Sequence, residues 1–362
     1  MIRLKHLNDT GMIKISQRDQ QIIAIFLEKG EMQSSDIYAE MVGSGEKTSL
    51  VSVKRALSEM AREGFIEISG SGRSTSYRVA PKGRVFADIN SKQYIAQEPD
   101  NRFGLSRYNF DLFKAFPSDI FTDDELKILD DSTIVYKKRT RDLPPAIQKK
   151  ELERLVIELS WKSSKIEGNT YTLLDTEKLI LENKEAPGHS RKEARMILNH
   201  KDAFNYIRQN SAQFKILIRK NMEELHAILV KDLSVGLGLR TKPVGVTGSK
   251  YLPLDNIHQI TEAVENLAAA VSRVSTPYAK ALLVLLGIGY IQPFEDGNKR
   301  TSRLMANALL LSHSLAPLSY RSVDENEYRE AMLVFYELNS IVPLKKIFIG
   351  QYEFAARNYA AK

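Results

Sequence analysis

The chain has 362 residues, 43% of them hydrophobic and 27% charged, with a formal net charge of +7 and no cysteine. That apolar share excludes wholesale disorder, and the missing thiols exclude disulfides and thiolate metal sites. The longest apolar run, residues 279–291, is too short to span a bilayer, and the N-terminus shows no apolar leader core. The expected compartment is therefore the cytoplasm, with no membrane partner. The basic balance suits an anionic partner without naming it. The length suits two to three domains. The expected division is 1–89 as a first domain, 90–143 as a linker and helical lead-in, and 144–362 as a second, mainly helical domain.

In chain order, the apolar spacing of Ile22, Ile23, Ile25 and Phe26 predicts a helix over 17–29. A short helix follows over 34–41, and Leu50, Val53, Leu57 and Met60 form the stripe of a third over 48–63. Residues 65–69 and 76–79 then bracket a Gly/Ser tip as a hairpin. Three helices and a hairpin resemble a winged helix-turn-helix. The resemblance implies a third helix in the DNA major groove and a wing near phosphates. Lys54 and Arg55 on that helix and Arg73 and Arg78 on the wing are the candidate DNA contacts. From Lys47 to Arg84, eight cationic side chains stand against three carboxylates, the sign nucleic-acid binding favours. The alternative is a winged helix used for dimerisation or protein contact. Ser74, Thr75, Ser76 and Tyr77 offer hydroxyls for self-modification, or serve simply as turn formers.

Residues 90–143, with Asn101, Gly104 and Pro117, read as a linker that becomes helical. A helical pattern through Leu155, Leu159 and Ile166 ends at Glu167-Gly168-Asn169, where Gly168 is a helix stop. In 240–253, Val244 and Val246 alternate with small residues before Gly248, which predicts a short hairpin. A buried helix over 279–291 leads into the turn Asp296-Gly297-Asn298, and a second helix runs over 298–311. A helix N-terminus with open N–H groups is an anion site, and Gly297 permits close backbone approach. Arg300 and Arg303, three apart on that helix, can clamp phosphate oxygens. Asp296 beside them is a candidate Mg²⁺ ligand, since Mg²⁺ takes one or two carboxylates plus phosphate. The plainer alternative is a capped helix with a solvated Arg pair.

The string Gln292-Pro293-Phe294-Glu295-Asp296-Gly297-Asn298-Lys299-Arg300-Thr301-Ser302-Arg303 resembles the motif H-P-F-x-D-G-N-G-R-x-x-R of Fic-domain proteins. Ser163 to Asn169 resembles the inhibitory motif S/T-x-x-x-E-G/N that precedes many Fic domains. The resemblance covers roughly residues 105–359. It implies a helical Fic-like domain with a β-hairpin flap that transfers AMP from ATP to a Ser, Thr or Tyr hydroxyl of a protein target, the chain itself being one candidate. It implies that Gly297, Asn298, Lys299, Arg300, Arg303 and, on the adenine side, Tyr328 hold ATP, with Mg²⁺ on Asp296. It also implies that Ser163, Glu167, Gly168 and Asn169 form the inhibitory element, with Glu167 paired to Arg303. Val246, Thr247 and Gly248 of the flap would receive a target segment as an added strand.

Two positions depart from the family pattern. Gln292 stands where the family has its catalytic His, and an amide has no basic nitrogen at neutral pH. Losing a positioned base typically costs about 10²–10⁴ in rate. His6, His189, His200, His226, His258 and His313 all fall outside the motif. Lys299 replaces the usual Gly and resembles the Doc-type N-K-R form. Three functions remain open: an atypical adenylyltransferase held back by Glu167, a catalytically degenerate nucleotide-responsive DNA-binding regulator, and a Doc-type phosphotransferase; under any of them a second copy of the chain, as a homodimer, is a candidate partner.

Overall fold

The computed structural model describes residues 15–360. His6 and the first fourteen residues of the expected 1–89 domain lie outside the described residues. Among those described there are fifteen α-helices and one two-stranded antiparallel sheet. Among the described residues no helix is long and apolar enough to cross a membrane.

The N-terminal unit is α1 (Gln17–Lys29), α2 (Ser34–Gly43), α3 (Leu50–Arg62), β1 (Ile66–Ser69) and β2 (Ser76–Val79). Ser16 and Asp19 close a reciprocal cap on α1, and Ser49 caps α3 through the Ser52 N–H. The strands pair from Ile66↔Val79 to Ser69↔Ser76, and Met32 adds an antiparallel bridge to Tyr77. Ile22, Ile37, Val53 and Leu57 are fully buried between the three helices, as the period of their spacing requires.

The chain continues through α4 (Pro81–Val85) and α5 (Ser91–Ile95). Residues 85–88 are gripped from both sides. The Gln20 amide donates to the Phe86 carbonyl at 2.9 Å and accepts from the Asp88 N–H at 2.8 Å. On the other side the Ile341 N–H donates to the Val85 carbonyl at 3.0 Å and the Ser340 hydroxyl to the Ala87 carbonyl at 2.6 Å.

The stretch expected as a linker is largely packed structure. Tyr108, Leu112, Phe113, Phe116, Ile120 and Phe121 are buried in the main core, and α6 (Asp123–Arg141) lies against α15 (Val342–Asn358). Its prolines, glycines and polar residues conceal aromatic side chains that are spaced without helical or strand period, so they reach the core from irregular backbone.

Between α6 and α15 run α7 (Pro145–Ile166), α8 (Leu173–Glu182), α9 (Arg191–Gln209), α10 (Arg219–Leu229), α11 (Ile257–Arg273), α12 (Pro277–Ile291), α13 (Asn298–Ser312) and α14 (Glu325–Leu338). The central helix α12 is buried from Tyr278 to Ile291 on every face but Lys280. Helices α11, α13 and α14 pack around it. Glycines make this possible. A methyl group on Gly287 would overlap Leu267 of α11, and one on Gly289 would lie 2.7 Å from Met332 Cε and 2.8 Å from Tyr336 Oη of α14. Gly289→Ala should therefore cost about 1–3 kcal/mol, read as a lower urea midpoint; an unchanged midpoint would show that α14 can yield.

The segment 240–253 is not a hairpin. It forms no strand, only a turn in which the Ser249 N–H donates to the Val246 carbonyl at 3.2 Å and a single parallel bridge between Arg107 and Leu252. Proline at 243 and 253 removes two ladder donors. Side chains fix the loop instead. Buried Arg240 donates to the carbonyls of Gln292 at 2.6 Å, Lys242 at 2.8 Å and Leu254. Arg102 donates to the Gly248 carbonyl at 2.6 Å, and the Ser249 hydroxyl to Glu337 at 2.7 Å.

Candidate functional site

The site grows from the α12–α13 junction. Gln292 ends α12 in the left-handed region, with φ 51° and ψ 58°. Its carbonyl accepts from Arg240, and its side-chain amide donates back to the Gly289 carbonyl at 2.5 Å. The Tyr251 ring stacks on Tyr290 at 4.7 Å and its hydroxyl donates to the Tyr290 carbonyl at 2.9 Å, so the end of α12 is braced by the loop it faces. The following turn is equally rigid. The Asn298 side chain accepts from the Phe294 N–H and donates to the Phe294 carbonyl, both at 2.8 Å. Phe294 is buried and stacks on the His226 ring at 3.8 Å. His226 Nε2 donates to the Asp296 carbonyl at 2.9 Å. Burial pushes the His226 pKa down, so the neutral ring that makes this bond is favoured.

Gly297 takes φ 79° as the N-cap of α13, and no side chain caps that helix end. Its first N–H groups thus face the cleft open. Arg300 and Arg303 follow, both buried. Arg303 donates to the Ser163 hydroxyl at 2.9 Å and to the Ser163 carbonyl at 2.8 Å, and forms an ion pair with Glu167 at 2.9 Å. Burial opposes its charge, but Glu167, Tyr328 and Tyr320 outweigh that and hold its pKa above the ordinary value. Arg300 differs. Burial lowers its pKa, and its carboxylate contact is a long 3.5 Å reach to Asp296. One terminal nitrogen of each guanidinium is buried without a hydrogen-bond partner. Two such donors beside an open helix N-terminus fit a polyanion.

Glu167 caps the C-terminus of α7, and Gly168 (φ 93°) turns the chain. The helix stop and the Arg303 ion pair coexist. Asn169 and Thr170 are tied to α9, since the Asn169 amide donates to the Glu193 carbonyl at 3.0 Å and the Thr170 hydroxyl to the Glu193 carboxylate at 2.6 Å. The hydrogen bonds from Thr170, then those from Ser190, depress the Glu193 pKa to about 2. A depressed carboxylate stabilises the fold above its unfolded pKa, near 4.3, and that contribution is lost as pH falls toward 2. Glu193→Gln should lower the melting temperature by about 2–4 °C at pH 7, as for a lost cap of ~1 kcal/mol. The deficit should vanish near pH 2. A deficit independent of pH would show that packing, not charge, sets it.

A cleft of about 310 Å³ is lined by Glu167, Val246, Thr247, Gln292, Asp296, Gly297, Asn298, Lys299 and Arg300. A second, of about 400 Å³, shares Glu167, Thr247 and Lys299 and continues to Gly168, Tyr328, Met332 and Tyr336. Most of the site residues expected from the sequence therefore meet in one place. Arg303, Ser163 and Asn169 stand behind the walls. Gly248 belongs to the loop rim, though as part of a turn rather than a flap strand. Asp296 fits a cation: its side chain is 56% exposed, while Oδ1 accepts from the Gly297 N–H. No group of three metal-ligating side chains stands together among the described residues, so a divalent cation here rests on Asp296 and phosphate oxygens.

Sequence reasoning missed Lys192 and Met196 of α9, which line the first cleft, and Arg329 of α14, which donates to the Ile166 carbonyl at 3.0 Å. It also missed His226, and His200, whose buried ring the Arg300 and Arg303 charges help keep neutral after burial itself. Helical spacing marks α9 residues only as facing inward, and no signal in the chain shows what they face.

The four expected DNA contacts are all on the exposed N-terminal surface. Arg55 pairs with Glu59 at 3.1 Å and Arg78 with Glu67 at 2.6 Å. Lys54 and Arg73 have no ion-pair or hydrogen-bond partner among the described residues.

Residues 217–310 match the model of the Fic/DOC family. The chain is 27% identical over 186 residues to the protein adenylyltransferase Fic of Nematostella vectensis, covering 50% of this chain and 44% of that protein. It is 30% identical over 166 residues to the protein adenylyltransferase Fic of Drosophila yakuba, covering 45% and 34%. The chain thus spans less than half the length of these curated relatives. A Fic domain-containing signaling protein from Bacteroides thetaiotaomicron superposes with TM-score 0.53 at 21% identity, over 63% of this chain and 94% of that one. A Fic family protein from Desulfovibrio desulfuricans gives 0.55 at 18%, over 67% and 75%. At those identities the likeness is one of fold. The matched stretch runs from α10 through the arginines of α13, so the part of the chain that builds the cleft is the part similar to the Fic/DOC family.

Proposed function

We propose that the cleft is an ATP site and that the protein is related to the adenylyltransferases it resembles, transferring AMP to a protein hydroxyl, with turnover held down twice. The observation that carries this is the 2.9 Å ion pair between Glu167 and buried Arg303, at the back of a cleft that holds an unpaired Arg300 donor and an open helix N-terminus. A carboxylate on the clamp competes with phosphate for the same donors, and its tether makes its effective concentration high. Gln292 is the second restraint. It lines the cleft where the family has its base, but its amide can only orient an attacking hydroxyl. Asp296 would hold Mg²⁺, which supplies charge neutralisation to phosphate oxygens. Phosphoryl-type transfer relies mostly on positioning and charge, so a Gln-bearing site retains slow turnover.

A second reading makes the protein a nucleotide-responsive DNA-binding regulator with a winged helix-turn-helix. The free, exposed Lys54 and Arg73 on α3 and at the hairpin tip favour it. A third, transfer of the γ-phosphate in the Doc manner, rests on Lys299.

The test is transfer from ATP labelled at the α- or the γ-phosphate, with Mg²⁺, by the Glu167→Gly variant. Label from the α-position on protein supports AMP transfer. Label from the γ-position replaces it with phosphotransfer. No label, with ATP changing the affinity for DNA, replaces both with the regulator.

A further inference from the structure

Helices α9 and α13 each run from the nucleotide cleft to a second cavity at their C-terminal ends. This cavity, of about 510 Å³, lies between those ends and the last turn of α6. Lys137, Arg141 and Arg208 line it, Leu311 and Leu315 form an apolar wall, and Ser314 adds a hydroxyl. Among the described residues no carboxylate lines it.

Cations near helix C-termini are ordinary where they offset the last carbonyls. Arg139, in the same turn of α6, does this by donating to the Ala356 carbonyl at 3.5 Å. Lys137, Arg141 and Arg208 do not. None of their side chains makes a hydrogen bond or ion pair among the described residues, and Arg208 Nε is buried without a partner. A buried guanidinium donor left unpaired is costly. Three cations converge on one cavity, one of them with a buried unpaired donor and two open to solvent, and their summed positive potential suits an anion of more than one charge. The leucine wall calls for something apolar attached to it.

We propose that this cavity binds a small phosphomonoester dianion with an aromatic or aliphatic body. The phosphate meets Arg208, Arg141 and Lys137, with the planar guanidinium groups giving paired hydrogen bonds. The body lies on Leu311 and Leu315. A carboxylate would leave positive charge uncovered, and free phosphate would leave the apolar wall wet. The site is independent of the nucleotide cleft, where Lys299 stands at the opposite end of α13.

The test is calorimetric titration of the full chain with phenyl phosphate, inorganic phosphate and benzoate. Phenyl phosphate should bind saturably and more tightly than either of the others. Arg141→Ala with Arg208→Ala should weaken it by about tenfold or more, as loss of charge-assisted hydrogen bonds requires, and Lys299→Ala should leave it unchanged. If the Arg208 variant does not fold, Lys137→Ala with Arg141→Ala, both exposed positions, should give the same weakening. Absence of saturable binding, benzoate binding as tightly, affinity that survives the cavity variants, or affinity lost with Lys299→Ala would each overturn the proposal.

Discussion

Replacing Gln292 by His in a Glu167→Gly background should raise the rate of AMP transfer by about 10²–10⁴ over Glu167→Gly alone. The backbone at 292 is set by contacts that do not involve the side chain: Arg240 holds its carbonyl, and α12 holds its N–H through Ile288 at 3.0 Å. Histidine is among the residues that tolerate the left-handed region found there. The new imidazole would thus stand at the cleft wall and accept the proton that the amide cannot. The two variants should also differ in pH dependence. With His, the rate should rise with pH through about 6.5 as the ring loses its proton; with Gln it should stay nearly flat over that range. Initial rates with α-labelled ATP and Mg²⁺ measure both. A gain below tenfold would mean that chemistry is not the step Gln292 limits.

Removing the buried clamp should have the largest effect on stability. Arg303→Ala deletes two hydrogen bonds to Ser163 and leaves the Glu167 carboxylate, 20% exposed, without its partner. Breaking such a pair by removing one side costs about 3–5 kcal/mol, seen as a large drop in the urea midpoint. Glu167→Gly should cost less, because Arg303 keeps Ser163 and its guanidinium carbon remains 5.8 Å from the Tyr328 ring centroid. Arg303→Lys keeps the charge but loses the fork, and should fall between the two. Equal midpoints for Arg303→Ala and the parent would mean the clamp is not a structural centre.

The sequence disclosed what is local and periodic. The apolar runs of α1, α3 and α12, the Gly168 stop and the left-handed Gly297 could be read before any contact was known, because each follows from backbone preference or a 3.6-residue spacing. The Glu167–Arg303 pair, 136 positions apart in the chain, followed from the family resemblance, not from periodicity. What stayed hidden depends on long-range contact. Tyr108, Phe113, Phe116 and Phe121 follow no period, so their burial in the core left no mark. Alternation at Val244 and Val246 mimicked a strand, although Arg240 and Arg102 supply the bonds that a strand partner would have made. His226 is distant in sequence from Phe294, and only the fold stacks them.

The central claim is that Glu167 occupies the donors an ATP phosphate needs. The most direct measurement is the calorimetric affinity for ATP with Mg²⁺ of the parent chain and of Glu167→Gly. Loss of the tethered competitor should tighten binding by about tenfold or more. Equal affinities, or no binding by either protein, would contradict it.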